Sequence, residues 1–176
     1  RNVANYLKKK KIKFIKIREP GGSKNSEKIR KLILNNKSNF NKNTDFFLYL
    51  AARSENLEKI IINNYKKKVI LIDRFVDSTM AYQHYGMGVS KKIINLTNNY
   101  LLNKIKVAFT FLNIVNEENL KSRLLKRKNL NRYDRFKYLF YKKVQKGFLN
   151  QAKNRKKMFL IVDSNLKISK NKKIII

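Results

Sequence analysis

The chain has 176 residues, 43% of them hydrophobic, and sets 43 Lys and Arg against 11 Asp and Glu for a formal net charge of +32. That length and apolar content suit one domain with a single core, no run approaches the roughly 18 apolar residues of a membrane span, and the start lacks a secretory signal's apolar stretch. The absence of cysteine and the single histidine, His84, exclude disulfides, thiolate sites and multi-histidine centres, so any metal must be hard and oxygen-bound.

A cytoplasmic protein without a membrane partner is the expectation. The 33 Lys and 10 Arg are spread along the whole chain among many Asn and Ile, as A/T-rich codon usage produces, so no specific nucleic-acid partner is expected. Nonspecific affinity for polyanions at low salt still follows from the charge.

Short apolar runs alternate with longer amphipathic ones, which predicts an α/β domain with a mostly parallel sheet and neither a repeat nor a second domain. Residues 1 to about 9 read as the end of a helix and Ile12 to Ile17 as a strand, stopped by Arg18-Glu19-Pro20-Gly21-Gly22. Pro fixes φ and the Gly pair permits left-handed backbone, so a sharp loop belongs there. A helix capped by Asn25 or Ser26 runs to about Leu34, and a longer one, capped by Thr44 or Asp45, reaches about Asn64. Val69-Ile70-Leu71-Ile72 has the continuous apolar character of a buried parallel strand and delivers Asp73-Arg74 at its end. Helices near 77–82 and 91–102, a strand at Val107–Leu112, helices near 117–128 and 136–152, and a strand at Met158–Val162 complete the reading.

Two strand ends therefore carry charge, Arg18-Glu19 and Asp73-Arg74, and a parallel sheet brings both to the edge where ligands of such folds gather. Arg53 follows two small residues, Ala51 and Ala52, on the long helix. Three arginines in a lysine-rich chain are candidates for one bidentate anion site, because guanidinium matches phosphate geometry better than ammonium does. The alternative is that each forms an ion pair, for instance with Glu19 or Glu55.

Three stretches, in order, resemble one family. Arg18-Glu19-Pro20-Gly21-Gly22-Ser23 resembles the REPGGT loop of bacterial thymidylate kinases, Tyr49-Leu50-Ala51-Ala52-Arg53 their (F/Y)xAAR segment, and Asp73 to Gln83 their DR(Y/H)xxSxxAYQ signature. Weaker likeness continues to about residue 164. The resemblance implies a P-loop nucleoside-monophosphate-kinase-like α/β fold of three layers with a parallel sheet, transferring a phosphoryl group from ATP to dTMP with Mg²⁺, in a homodimer. It places Arg18, Arg53 and Arg74 around the dTMP phosphate, with Arg74 and Asp73 also in the catalytic set. Tyr49 stacks on thymine, Gln83 bonds the base edge, Ser78 lines the pocket and Tyr82 packs by the deoxyribose. Asp73 acts at Mg²⁺ through water, with Glu19 ordering the magnesium side.

Residues 123–135 resemble the family's lid over ATP, with Lys126, Arg127, Lys128 and Arg132 as its basic residues and Arg127 and Arg132 as catalytic contributors. Phe75, Asn56 and Asp134 depart from the family's commoner choices. The larger departure is that no G-x-x-x-x-G-K-(S/T) occurs, and Arg1-Asn2-Val3-Ala4 resembles the helix that follows such a loop. The expectation is that the first, central strand and the loop, roughly 15 to 20 residues, lie outside this chain, as does the last helix, and that the chain alone is inactive and unstable. A homodimer would use Phe46, Phe47, Leu57 and Ile61 unless these face the sheet. Competing readings are a kinase for another nucleoside monophosphate or a deoxynucleoside, and a noncatalytic basic protein binding nucleic acid.

Overall fold

The computed structural model describes residues 2–103 and 105–176, so Arg1 of the first predicted helix lies outside the described residues. Helix α1 (Asn2–Lys9) leads to β1 (Phe14–Arg18), and α2 (Lys24–Leu34) follows the Pro-Gly-Gly loop. Helix α3 (Lys42–Asn56) continues through a π turn, Leu57–Ile61, into Ile62–Asn64, and is followed by β2 (Val69–Asp73). Helix α4 (Val76–Thr79) runs into a second π turn, Met80–Gly86, before α5 (Lys91–Leu102). The remainder is β3 (Thr110–Ile114), α6 (Glu117–Leu125), a 3₁₀ turn at Arg132–Arg135, α7 (Tyr138–Asn154), β4 (Phe159–Asp163) and α8 (Ile168–Ile175). A helix thus forms at residues where none was expected.

Helix α2 is capped two or three residues, and α3 three or four residues, before the predicted caps, because other side chains reach the free amides. Ser23 Oγ accepts from the Ser26 N–H at 3.2 Å, and Asn41 Oδ1 accepts from the Asn43 and Thr44 amides at 3.0 Å. Strand β3 starts three residues later than expected. Its pairing with β4 sets Leu112 opposite Ile161 and buries Leu112, Phe159 and Val162, whereas Phe109 stays exposed outside the strand.

All strand pairing is parallel. β1 pairs β2 from Phe14↔Val69 to Arg18↔Asp73, and β3 pairs β4 from Thr110↔Phe159 to Ile114↔Asp163. Among the described residues the two pairs are separate two-stranded sheets. Side-chain packing and the carboxylate of Asp77 help to join them. Asp77, after β2, pairs with Arg155, accepts from Thr110 Oγ1 at 3.1 Å, and its carbonyl accepts from Gln151 Nε2 at 3.0 Å. Helix α7 lies against the second π turn so closely that a Cβ on Gly147 would come within 2.6 Å of the Tyr85 ring, and one on Gly86 within 2.6 Å of Phe140.

The apolar stripe of α3 faces the interior. Phe46 packs with Met80, Val89 and Ile94, while Leu57 and Ile61 pack with Ile17 and the partly buried Ile70 and Ile72. Of Phe46, Phe47, Leu57 and Ile61, which the sequence offered either to a dimer or to the sheet, Phe47 alone is exposed. No described helix is long and apolar enough to cross a membrane.

Candidate active site

The β1–β2 register sets the two charged strand ends side by side, and the Glu19 N–H donates to the Asp73 carbonyl at 3.0 Å. Immediately beyond, Gly21 and Gly22 take φ of 126° and 118°, values that exclude an ordinary side chain. The loop is stapled to α3 by Asn56, which is fully buried. Its Nδ2 donates to Gly21 O at 2.5 Å, and its Oδ1 accepts from Ser23 N and Ser26 Oγ, each at 2.9 Å. Asn56 is therefore the part that shapes the loop, a role its sequence position alone did not disclose.

Glu19, Tyr49, Arg53, Arg74, Ser78, Tyr82 and Gln83, all singled out from sequence, line one cleft together with Phe75 and Thr79. The π turn Met80–Gly86 supplies Tyr82 and Gln83, and the wider backbone of such turns recurs at functional sites. Arg74 has φ 65°, uncommon for a non-glycine residue and a form of local strain that clusters at ligand sites. Its guanidinium lies 4.7 Å from the centroid of the Tyr82 ring. Gln83 is 1% exposed, yet its Nε2 has no hydrogen-bond partner.

The cleft's base is an ion pair. Arg53 donates from Nε to Glu19 Oε2 at 2.9 Å, from Nη1 to Asn98 Oδ1 at 3.0 Å and from Nη2 to Thr79 Oγ1 at 2.9 Å, and its Nη2 also lies 2.8 Å from Glu19 Oε2. With most of its donors committed within the protein, Arg53 forms a wall of the cleft. The ion-pair alternative holds for it. Glu19 is its buried partner. Burial raises its carboxyl above the ordinary value, against the pull of the Arg53 charge.

Arg18 stands exposed at the end of β1 and Asp73 exposed at the end of β2, beside the cleft rather than in its lining. Arg30, on α2, is an addition. Its guanidinium donates to Pro20 O at 2.6 Å, and burial holds it below its ordinary value, helped by the positive charges of Arg18 and Arg74 and opposed by Glu27 and Tyr49. Arg18 and Arg74 both reach Arg30 with their charge, and such a set of guanidinium groups is chemically suited to an anion. The available signal was that Arg30 is one of only ten arginines among 33 lysines.

The lid segment turns its 3₁₀ turn onto this cleft. Tyr133 is buried edge-on against both Tyr49 and Tyr82, each with ring centroids 6.1 Å away. Its hydroxyl donates to Asp45, and burial, with Tyr49 and Asp45 adding to it, holds that hydroxyl protonated. Arg132 pairs with Asp45 on α3. Arg127 pairs with Asp134 at 2.5 Å on a partly exposed surface, whereas Lys126 and Lys128 are exposed.

A parallel α/β domain that gathers guanidinium groups, an aromatic-walled cleft and a basic lid segment at the C-terminal ends of its strands has the form of a nucleotide-handling domain. A sequence model of the thymidylate kinase family matches residues 1–175, and the chain belongs to that family. It is 30% identical to the thymidylate kinase of Kosmotoga olearia over 166 residues, 94% of this chain and 80% of that protein. It is 33% identical to that of a Sulfurihydrogenibium species over 174 residues, 98% of this chain and 84% of the relative. The crystal structure of thymidylate kinase from Ehrlichia chaffeensis matches the fold with a TM-score of 0.75 at 24% identity, covering 98% of this chain and 85% of that one.

Proposed function

We propose that this chain binds dTMP in the cleft between α3 and the second π turn and phosphorylates it from ATP. The observation that carries this reading is the buried, unpartnered Gln83 Nε2 in a cleft walled by Tyr49 and Tyr82, with Arg74 beside it. A buried amide without a partner costs free energy that a ligand carbonyl relieves. A pyrimidine bearing a ring N–H next to a carbonyl matches the carboxamide of Gln83, and the cationic Arg53 in the same lining favours a carbonyl edge over an amino edge. Arg74, with Arg18 and Arg30, supplies the charge for the monophosphate.

Phosphoryl transfer asks for positioning and charge neutralisation more than covalent chemistry. Among the described residues no three His, Cys, Asp or Glu side chains cluster as a metal cage. Asp73, a lone exposed carboxylate at a strand end, fits a Mg²⁺ ion carried chiefly by substrate phosphates and water, and Glu19 does not. When bound, that ion neutralises charge on the phosphates. Lys126 and Lys128 are exposed lid cations available to a polyphosphate. Among the described residues β1–β2 and β3–β4 are separate pairs, which supports a further parallel strand between them.

A homodimer is supported by α5, where Ile93, Leu96 and Tyr100, spaced by three and four residues, form an exposed apolar stripe beside a groove lined by Ile62 and Ile105. Sedimentation at moderate salt checks this, with a dimer expected and Leu96→Glu giving monomers. Calorimetric titration with dTMP, dUMP, dCMP and dGMP tests the main reading. Binding of dTMP at least tenfold tighter than dCMP or dGMP is expected, and equal binding of all four, or salt-sensitive binding of random DNA alone, would overturn it.

A further inference from the structure

Asp45 lies at the start of α3, one to two turns before Tyr49 and Arg53, and is 1% exposed. A carboxylate so fully buried needs partners, and both come from the lid about 87 residues away in sequence: the Arg132 guanidinium on Oδ1 and the Tyr133 hydroxyl on Oδ2. The grip is reinforced on every side. The Arg132 guanidinium lies 5.4 Å from the centroid of Phe40 and 5.1 Å from that of Tyr133, Asn36 Nδ2 donates to Leu130 O at 2.9 Å, and the Tyr141 hydroxyl donates to the Tyr133 carbonyl at 2.6 Å. The turn itself is pre-formed by a capping box in which Asn131 and Asp134 exchange side-chain and backbone bonds.

We propose that Asp45 is a positioning residue that couples the lid to the monophosphate cleft, seating Arg132 and Tyr133 so that the Tyr133 ring closes the cleft against Tyr49 and Tyr82. The lid thereby does more than cover the donor nucleotide. It contributes a wall to the acceptor site, and the position of that wall is set by one carboxylate on the helix that also carries Tyr49. By reciprocity, whatever the docked lid adds to monophosphate affinity, the bound monophosphate adds to lid docking.

This inference rests on the reading of the cleft as the dTMP site, and its test separates the two. Calorimetry gives the dTMP affinity, and timed trypsin digestion, read at Lys126, Arg127 and Lys128, gives the exposure of the lid. In the wild type dTMP is expected to slow those cuts roughly tenfold. Asp45→Asn keeps the size of the side chain but loses its charge. It is expected to bind dTMP roughly tenfold more weakly and to lose the protection, while Asp45→Glu retains most of both. Adding Asp45→Asn to an Arg132→Met/Tyr133→Phe background is expected to cost nothing further, which a merely structural role would not give. Tyr133→Phe, which removes just the hydroxyl, repeats the measurement if Asp45→Asn unfolds. Wild-type binding of dTMP combined with unchanged affinity and protection in Asp45→Asn, or additive losses in the combined variant, overturns the coupling alone. A wild type that does not bind dTMP overturns the reading of the cleft and the coupling with it.

Discussion

Arg53 and Glu19 meet through Nε at 2.9 Å and Nη2 at 2.8 Å with neither residue more than 3% exposed. Breaking such a pair strands a buried charge, so Arg53→Met is expected to cost about 3–5 kcal/mol in urea unfolding, and Arg53→Met with Glu19→Leu much less. The pH dependence has a definite sign. Burial already raises the Glu19 carboxyl above 4.5, and removing the opposing Arg53 charge raises it further. The variant's stability is therefore greatest below the unfolded carboxyl value and is lost as pH rises through the folded one.

If the cleft holds dTMP as proposed, Arg74→Ala removes the cation that meets its phosphate and leaves the Gln83 end in place. A loss of about 1.5–3 kcal/mol, roughly 10- to 100-fold in dTMP affinity, is expected. Thymidine, which has no phosphate, is expected to bind the variant and the wild type alike. Competition titrations with both ligands check this.

Gly22 has φ 118°, and a Cβ there would lie 2.8 Å from Asn56 Oδ1, the atom that holds Ser23 and Ser26. Gly22→Ala meets backbone strain and a displaced staple together, with an expected cost of about 1–3 kcal/mol by thermal or urea unfolding. Gly88→Ala is the control. Its φ is also positive, at 77°, but nothing lies within 4 Å of the added carbon, so the strain acts alone there.

Burial pushes the hydroxyls of Tyr49 and Tyr141 up to about 12, and holds Tyr133 protonated as well. A folded value raised above the unfolded 10 contributes stability that is whole below pH 10 and is lost as pH rises toward 12. Ultraviolet titration of the nine tyrosines is expected to show a late class containing these three. Tyr49→Phe, Tyr133→Phe and Tyr141→Phe should each remove one member of that class.

Much of the site was legible because it is local. The charged ends of β1 and β2 and the aromatic and amide residues of 73–83 each sit within one short stretch, and parallel pairing brings the two stretches together. What escaped depended on distant partners. The spacing of Phe46, Leu57 and Ile61 announces an apolar stripe but does not say what covers it, and Met80, Ile94 and Ile17 do. The pairing of Arg132 with Asp45 and of Arg127 with Asp134 has no mark in the local spacing of the sequence. Arg30 and Asn56 read as ordinary helix residues because their work is done on a loop folded back over them.

The contacts of Asp77 with Thr110 and Arg155, and the close seating of Gly147 on Tyr85, bind residues before Asn103 to residues after Thr110 without help from the peptide link between them. The two portions are in effect lock and key made on one ribbon. Cut in that link and produced separately, they should reconstitute on mixing, and the rate at which they do so would show how much of the assembly is mutual recognition rather than chain continuity.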